Sequence, residues 1–227
     1  MSRSYVKGKS CGRGNHDYQD KGGYFECSRC HSTKTKPSRP TNEEKEQKVR
    51  LGHLSRGWNH KLTELLGEHL TAAQLTRNNL AVSFTPKNMP EADLLATNEY
   101  LKTIPIQLKT IRTGTAQLKA DDFLDIEFRE IEGRGPVYQH IRGRLGLSNP
   151  RMPYVFLWLG NNGPDEFFVC TTEEVQELVL RKYTDWLDKY HGIRPKNPKS
   201  THCGVRKEEL TRFRDRWDVI LNHPDFR

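Results

Sequence analysis

Long hydrophobic runs are missing from this 227-residue chain, in which apolar residues make up only 34% and charged residues 29%. That balance leaves a modest core and extensive polar surface. No apolar stretch approaches the ~20 residues of a membrane-spanning helix. The N-terminus also lacks the apolar h-region of a signal peptide, so the expectation is a cytoplasmic protein. Cysteines are few and odd in number, five in all, and they do not follow the spacing of a secreted disulfide framework. Clustered cysteines of this kind point to metal binding rather than to cross-links. Acidic charge is scarce at one end: residues 1–60 hold 13 Lys/Arg against 6 Asp/Glu, whereas the other 167 residues are nearly balanced, within a net charge of +8. A basic N-terminal quarter on a near-neutral body suits a polyanion partner, because lysines and arginines near phosphates release counterions. A solvated tail that only aids solubility is the plainer reading of the same charge.

Three regions follow from composition. Residues 1–36 are rich in Gly, Cys and polar residues, and residues 37–54 form a linker with a short charged helix after Pro37 and Pro40. Residues 55–227 carry the main domain. There, apolar residues recur at helical spacing from Lys61 to Arg77. Strand-like segments follow at Leu80–Phe84, Asp93–Ala96 and Thr103–Thr110, with a hairpin turn at Asn98-Glu99. The continuous apolar run Tyr154–Leu159 predicts a strand buried on both faces. After the turn at Asn161-Asn162-Gly163-Pro164 come a strand at Glu166–Cys170, a helix from Thr172 to about Tyr190 and a last helix from Lys207 to Trp217. The order implies an α/β fold with a mixed central sheet flanked by helices.

In the first region, Cys11 and His16 are separated by ten residues from Cys27-Ser28-Arg29-Cys30. A Cys-x-x-Cys knuckle facing a second ligand pair makes a tetrahedral structural zinc site, and the intervening segment has the length of a β-hairpin. The motif looks like a zinc ribbon with Cys11, His16, Cys27 and Cys30 as Zn²⁺ ligands. His31 is the alternative to His16, and unliganded thiols on an arm are the plain alternative to the site. So short a segment would draw much of its folding free energy from the metal. Lys7, Lys9, Arg13 and Arg29 surround it and suit DNA phosphates.

The chemistry-bearing stretch of the main domain is Met89–Ala96 followed by Ile104–Thr110. Gln107 and Lys109 lie two apart on one strand, so alternation sends both to the same face. If Asp93 sits on the paired strand, an acid, an amide oxygen and an ammonium converge. That set suits one or two Mg²⁺ or Mn²⁺ ions beside a phosphodiester: hard oxygens hold the metal, and the lysine serves the attacking water or the phosphate.

These residues resemble the PD-(D/E)XK nuclease superfamily, which includes many restriction enzymes and Holliday-junction resolvases. Pro90-Glu91-Ala92-Asp93 stands where that pattern has Pro-Asp, and Gln107-Leu108-Lys109 stands where it has acid-x-Lys, as in uncharacterised bacterial and phage members with a Gln-x-Lys version. The resemblance spans roughly residues 60–170. It implies a metal-dependent endodeoxyribonuclease with Glu68, on the preceding helix, joining Asp93, Gln107 and Lys109; Glu64, one turn earlier, is the alternative. Two departures stand out. Glu91 and Ala92 separate Pro90 from Asp93, and Gln107 removes one negative charge from the metal site, since an amide oxygen ligates more weakly than a carboxylate.

Further phosphate contacts are read at Arg142 and Arg144 and, in the basic loop Pro195–Cys203, at Lys196 and Lys199. In the same loop His202 is a lesser candidate, and Cys170 and Cys203 are read as ordinary core or loop residues. DNA is the expected partner and no organic cofactor or membrane is. Cutting both strands suggests a homodimer. The competing reading is a DNA-binding module whose nuclease core has lost its chemistry at Gln107.

Overall fold

The computed structural model describes residues 18–20, 24–27, 33–35, 56–86, 92–130, 137–160, 163–195 and 197–227. The chain divides into two compact units, Met1–Leu54 and Ser55–Arg227. In the first, strands β1 (Tyr18–Asp20), β2 (Tyr24–Cys27) and β3 (Thr33–Thr35) form an antiparallel sheet in sequence order. Cys27 closes β2 and is buried. Cys11, His16 and Cys30 lie outside the described residues, as do Lys7, Lys9, Arg13 and Arg29.

The second unit opens with helix α1 (Arg56–Arg77), which starts before the predicted Lys61. Its chain then runs through β4 (Ala81–Phe84), β5 (Leu94–Thr97) and β6 (Thr103–Ile111) as two successive antiparallel pairings. Asn98 sets the β5–β6 turn, its side-chain oxygen accepting from the Tyr100 and Lys102 amides. β10 (Pro153–Trp158) lies parallel to β6, and β11 (Glu166–Thr171) lies antiparallel to β10. The result is a five-stranded mixed sheet in the order β11-β10-β6-β5-β4. Pro105 is tolerated in β6 because pairing with β10 begins only at Gln107, so no ladder bond is asked of it on that side.

Alternation on β10 divides the core in two. All six of its residues are buried. Tyr154, Phe156 and Trp158 face one cluster with Phe168 and the inner side of helix α2 (Thr172–Lys189), including Val175, Leu178, Val179 and Tyr183. Val155 and Leu157 face the other, with Ile104, Ile106 and Leu108 of β6, Leu75 of α1 and Ile220. A strand buried on both faces therefore needs no polar alternation, as its sequence shows. Helix α2 begins on a capping box in which Thr171 accepts from the Glu174 amide and Glu174 returns to the Thr171 amide.

Three departures from the sequence reading concern local structure. β7 (Ala116–Lys119) pairs with β12 (His202–Val205), and β8 (Leu124–Glu130) pairs with β9 (Val137–Arg144); none of these was expected. In the β8–β9 hairpin single apolar residues stand between charged and polar ones, so it shows no apolar run to detect. The predicted helix Lys207–Trp217 is instead a 3₁₀ segment, Lys207–Phe213, followed by the short helix α3 (Asp218–Leu221). Leu210 and Phe213, three apart, are fully buried, and Asp215 has φ 51°. The tighter three-residue period aims both apolar side chains inward, and the left-handed residue then ends the segment. No helix among the described residues is long and apolar enough to cross a membrane.

Helix α1 approaches β6 at Gly67, where an added Cβ would overlap the Thr110 side chain. Alanine is favoured by ~1 kcal/mol in a helix interior, but here packing decides. Because Thr110 is branched at Cβ, it cannot swing its bulk away without moving the strand. Gly67→Ala should destabilise the fold by about 1–3 kcal/mol, read as a lower midpoint in urea unfolding. An unchanged or higher midpoint would show that α1 can lift from β6 at no cost.

Candidate active site

Asp93 sits just before β5, opposite Gln107 on β6, and its Oδ2 accepts both the Gln107 Nε2 at 2.6 Å and the Leu108 amide at 2.7 Å. The hairpin thus brings Asp93 and Gln107 into contact, and strand alternation places Lys109 on the same face. Ile104, Ile106 and Leu108 point the other way, into the core. The amide orientation has a chemical cause: only the NH₂ can face a carboxylate. Gln107 Oε1 and Asp93 Oδ1 are left without hydrogen-bond partners among the described residues.

Burial is the largest influence on Asp93, holding its carboxyl above the ordinary carboxylate value. The Leu108 amide opposes this, the negative charge of Glu64 adds to it, and Lys109 and Gln107 pull back down. Glu64, on the exposed side of α1, pairs with His60 at 3.0 Å. Glu68 lies one turn further along α1 and is half-buried. Both helix carboxylates therefore remain candidates, and Glu64 is one whose charge Asp93 feels.

Gln107 and Lys109 open into a cleft of about 720 Å³, whose walls include Lys119, Asp122, Tyr154, Thr172 and His202. Tyr154 is the register partner of Gln107 on β10. Burial pushes its phenol far above the ordinary range, and the charges of Cys170, Asp93 and Asp122 act in the same direction. The loop Leu145–Asn149 forms another wall. Buried Gln176 pins that wall by donating to the carbonyls of Phe123 and Leu145. A second polar network holds the loop before β12: Gln139 donates to the Pro198 and Ser200 carbonyls and accepts from the Tyr183 hydroxyl.

Of the expected phosphate contacts, Arg142 pairs with Asp125 at 2.8 Å and Arg144 approaches Glu177 at 3.8 Å. Lys199 pairs with Glu130 at 3.0 Å. All three are exposed, and exposed pairs of this kind contribute little, so each can exchange its carboxylate for a phosphate. Arg142 lines a different concavity, between β9 and α2, and not the cleft of Lys109. Lys196 and the Pro90-Glu91 pair lie outside the described residues. Cys170 and Cys203 are buried; burial pushes the Cys170 thiol far up and the Cys203 thiol to about 11, as suits inert core residues.

Asp122, Lys119 and Tyr154 are the cleft residues that sequence reasoning missed. Lys119-Ala120-Asp121-Asp122 is an ordinary charged run, and only the 3₁₀ turn Ala120–Asp122 after β7 separates the two acids into different roles.

Among the described residues no three His, Cys, Asp or Glu side chains converge to hold a metal. Asp93 and Gln107 do meet across the hairpin, and each keeps one oxygen without a hydrogen-bond partner among the described residues. That fits Mg²⁺, which commonly keeps several waters and takes one or two carboxylates.

No family model matches the chain, and no curated protein matches it. Among solved structures it is similar to a bacterial homing endonuclease, I-Ssp6803I, at 11% identity over 71% of this chain and 93% of that one, with a TM-score of 0.37.

Proposed function

We propose that the chain is a metal-dependent DNA endonuclease of the PD-(D/E)XK type, whose N-terminal unit is a zinc ribbon that helps hold DNA. The observation that carries this is the contact of Asp93 with Gln107 across the hairpin, Gln107 sharing its strand face and its cleft with Lys109. Asp93, Gln107 and a helix carboxylate (Glu68 or Glu64) would hold Mg²⁺ or Mn²⁺. When bound, such an ion polarises the scissile phosphate and makes water more acidic. The Leu108 amide fixes the Asp93 carboxylate, so its second oxygen is presented without further ordering. Lys109 brings an ammonium to the cleft, where it orients the attacking water or offsets charge that develops on the phosphate. Lys119 widens this positive wall towards the backbone of the substrate. Two copies would be needed to cut both strands together.

For the zinc ribbon, the support is an antiparallel trio of short strands with Cys27 buried at the end of β2. Cys11, His16 and Cys30 complete the proposed ligand set, with Zn²⁺ in a structural role.

A second reading, DNA binding without cleavage, is favoured by one feature: the Gln107 amide is already engaged by Asp93 and adds no charge. Plasmid incubated with Mg²⁺ or Mn²⁺ separates the two. The wild type should nick or linearise it, EDTA should stop the reaction, and Lys109→Ala should slow it about 100-fold without loss of DNA binding. Equal inactivity of both proteins across metals and DNA forms, with binding retained, would establish the second reading.

A further inference from the structure

We propose that Asp122 is a further carboxylate of the cation site, beside Asp93 and the helix carboxylate, and supplies the negative charge that position 107 lacks; this rests on the metal-dependent reading above. Four observations point to it. Asp122 lines the same cleft as Gln107 and Lys109. It forms no hydrogen bond or ion pair among the described residues, so its carboxylate has no structural task there. Its neighbour Asp121, by contrast, accepts from the Thr201 hydroxyl, while the Ala120 amide donates to the Thr201 carbonyl. These two bonds lock the turn and leave Asp122 as the member that faces the cleft.

The fourth observation is electrostatic. Burial raises the Asp122 carboxyl first of all, Asp121 adds to this, and Lys119 and Lys109 oppose it. Lys109 thus acts on both Asp93 and Asp122, and Tyr154 feels both carboxylates. Without Asp122, the carboxylates of Asp93 and Glu64 only balance the two ammonium groups of Lys109 and Lys119. With Asp122 the balance becomes negative, as a dication requires. Because Mg²⁺ keeps several of its waters, Asp122 acts through that water shell, accepting hydrogen bonds from it, and need not touch the ion.

The test is Mn²⁺ binding to the full chain without DNA, followed by titration calorimetry, with thermal melts to confirm folding. Wild type should bind, and Asp93→Asn should not. Asp122→Asn should bind about 10- to 100-fold more weakly. Adding Gln107→Glu to Asp122→Asn should restore most of the affinity, because the charge returns on the neighbouring strand. Asp121→Asn, which keeps its acceptor oxygen, should bind as wild type does. Unchanged affinity in Asp122→Asn, or no recovery in the double variant, overturns the role of Asp122 while the metal site itself stands. A wild type that binds no Mn²⁺ overturns both.

Discussion

Asp93→Asn is expected to lower metal-dependent cleavage about 1000-fold and, in the same protein, to raise thermal stability at neutral pH. The two effects share one cause. The carboxylate is half-buried and held above its ordinary value of 3.8, chiefly by desolvation. A group whose folded pKa is raised binds its proton more tightly in the folded state. Its contribution is therefore a cost: absent below 3.8, growing between 3.8 and the raised folded value, and complete above that. Asparagine removes this cost. Its oxygen can still accept from the Leu108 amide and the Gln107 amide, where Oδ2 now accepts both. Melting in EDTA at neutral pH should thus favour the variant, and the gain should vanish below pH 3.8. Cleavage would move the other way, since the uncharged amide holds a dication poorly. A variant that is inactive but less stable at neutral pH would mean that the carboxylate's hydrogen bonds outweigh its desolvation. On the metal-dependent reading, a cation that binds only the folded state would offset this cost by mass action.

Much of this site was legible because the signals were local. Two residues at spacing two on a strand must share a face, so Gln107 and Lys109 could be placed together from sequence, and Asn98 marked the turn that folds Asp93 back onto them. Tyr154–Leu159 was equally plain, since a six-residue apolar run rich in aromatic residues, ended by a turn signal, suits a strand between two cores. Asp122 was not legible. Its position in the cleft depends on β7 pairing with β12, whose residues lie more than eighty positions apart in the chain, and on Thr201 capturing the adjacent Asp121. Long-range pairing of this kind leaves no periodicity in a four-residue strand. The β8–β9 hairpin was hidden for another reason: Leu124, Ile126 and Ile141, which pack on the core, stand singly between charged or polar residues and form no run. The 3₁₀ segment at Lys207–Phe213 read as α-helix because both periods place apolar residues three apart.

Phe156→Ala is expected to be the most destabilising single change in the second unit, by about 3–5 kcal/mol. Phe156 is fully buried at the centre of β10, stacks with Tyr154 at 4.8 Å between ring centroids, and belongs to the cluster shared with α2. A cavity there has little chance to collapse. β10 is paired on both edges, by β6 and β11, and the far side of the strand is filled by Val155 and Leu157. Since whole domains are stable by only about 5–15 kcal/mol, the loss is a large share of the total. For a unit of this size it should lower the melting temperature by roughly 10 °C. Phe156 is also the register partner of Lys109, as Tyr154 is of Gln107. Cleavage per folded molecule should therefore fall as well, because the strand that sets the height of Lys109 in the cleft loses its support. Phe156→Leu, which fills most of the space, should recover both quantities together. If stability recovered while cleavage did not, the aromatic ring itself, and not the packing of β10, would be what holds the lysine in place.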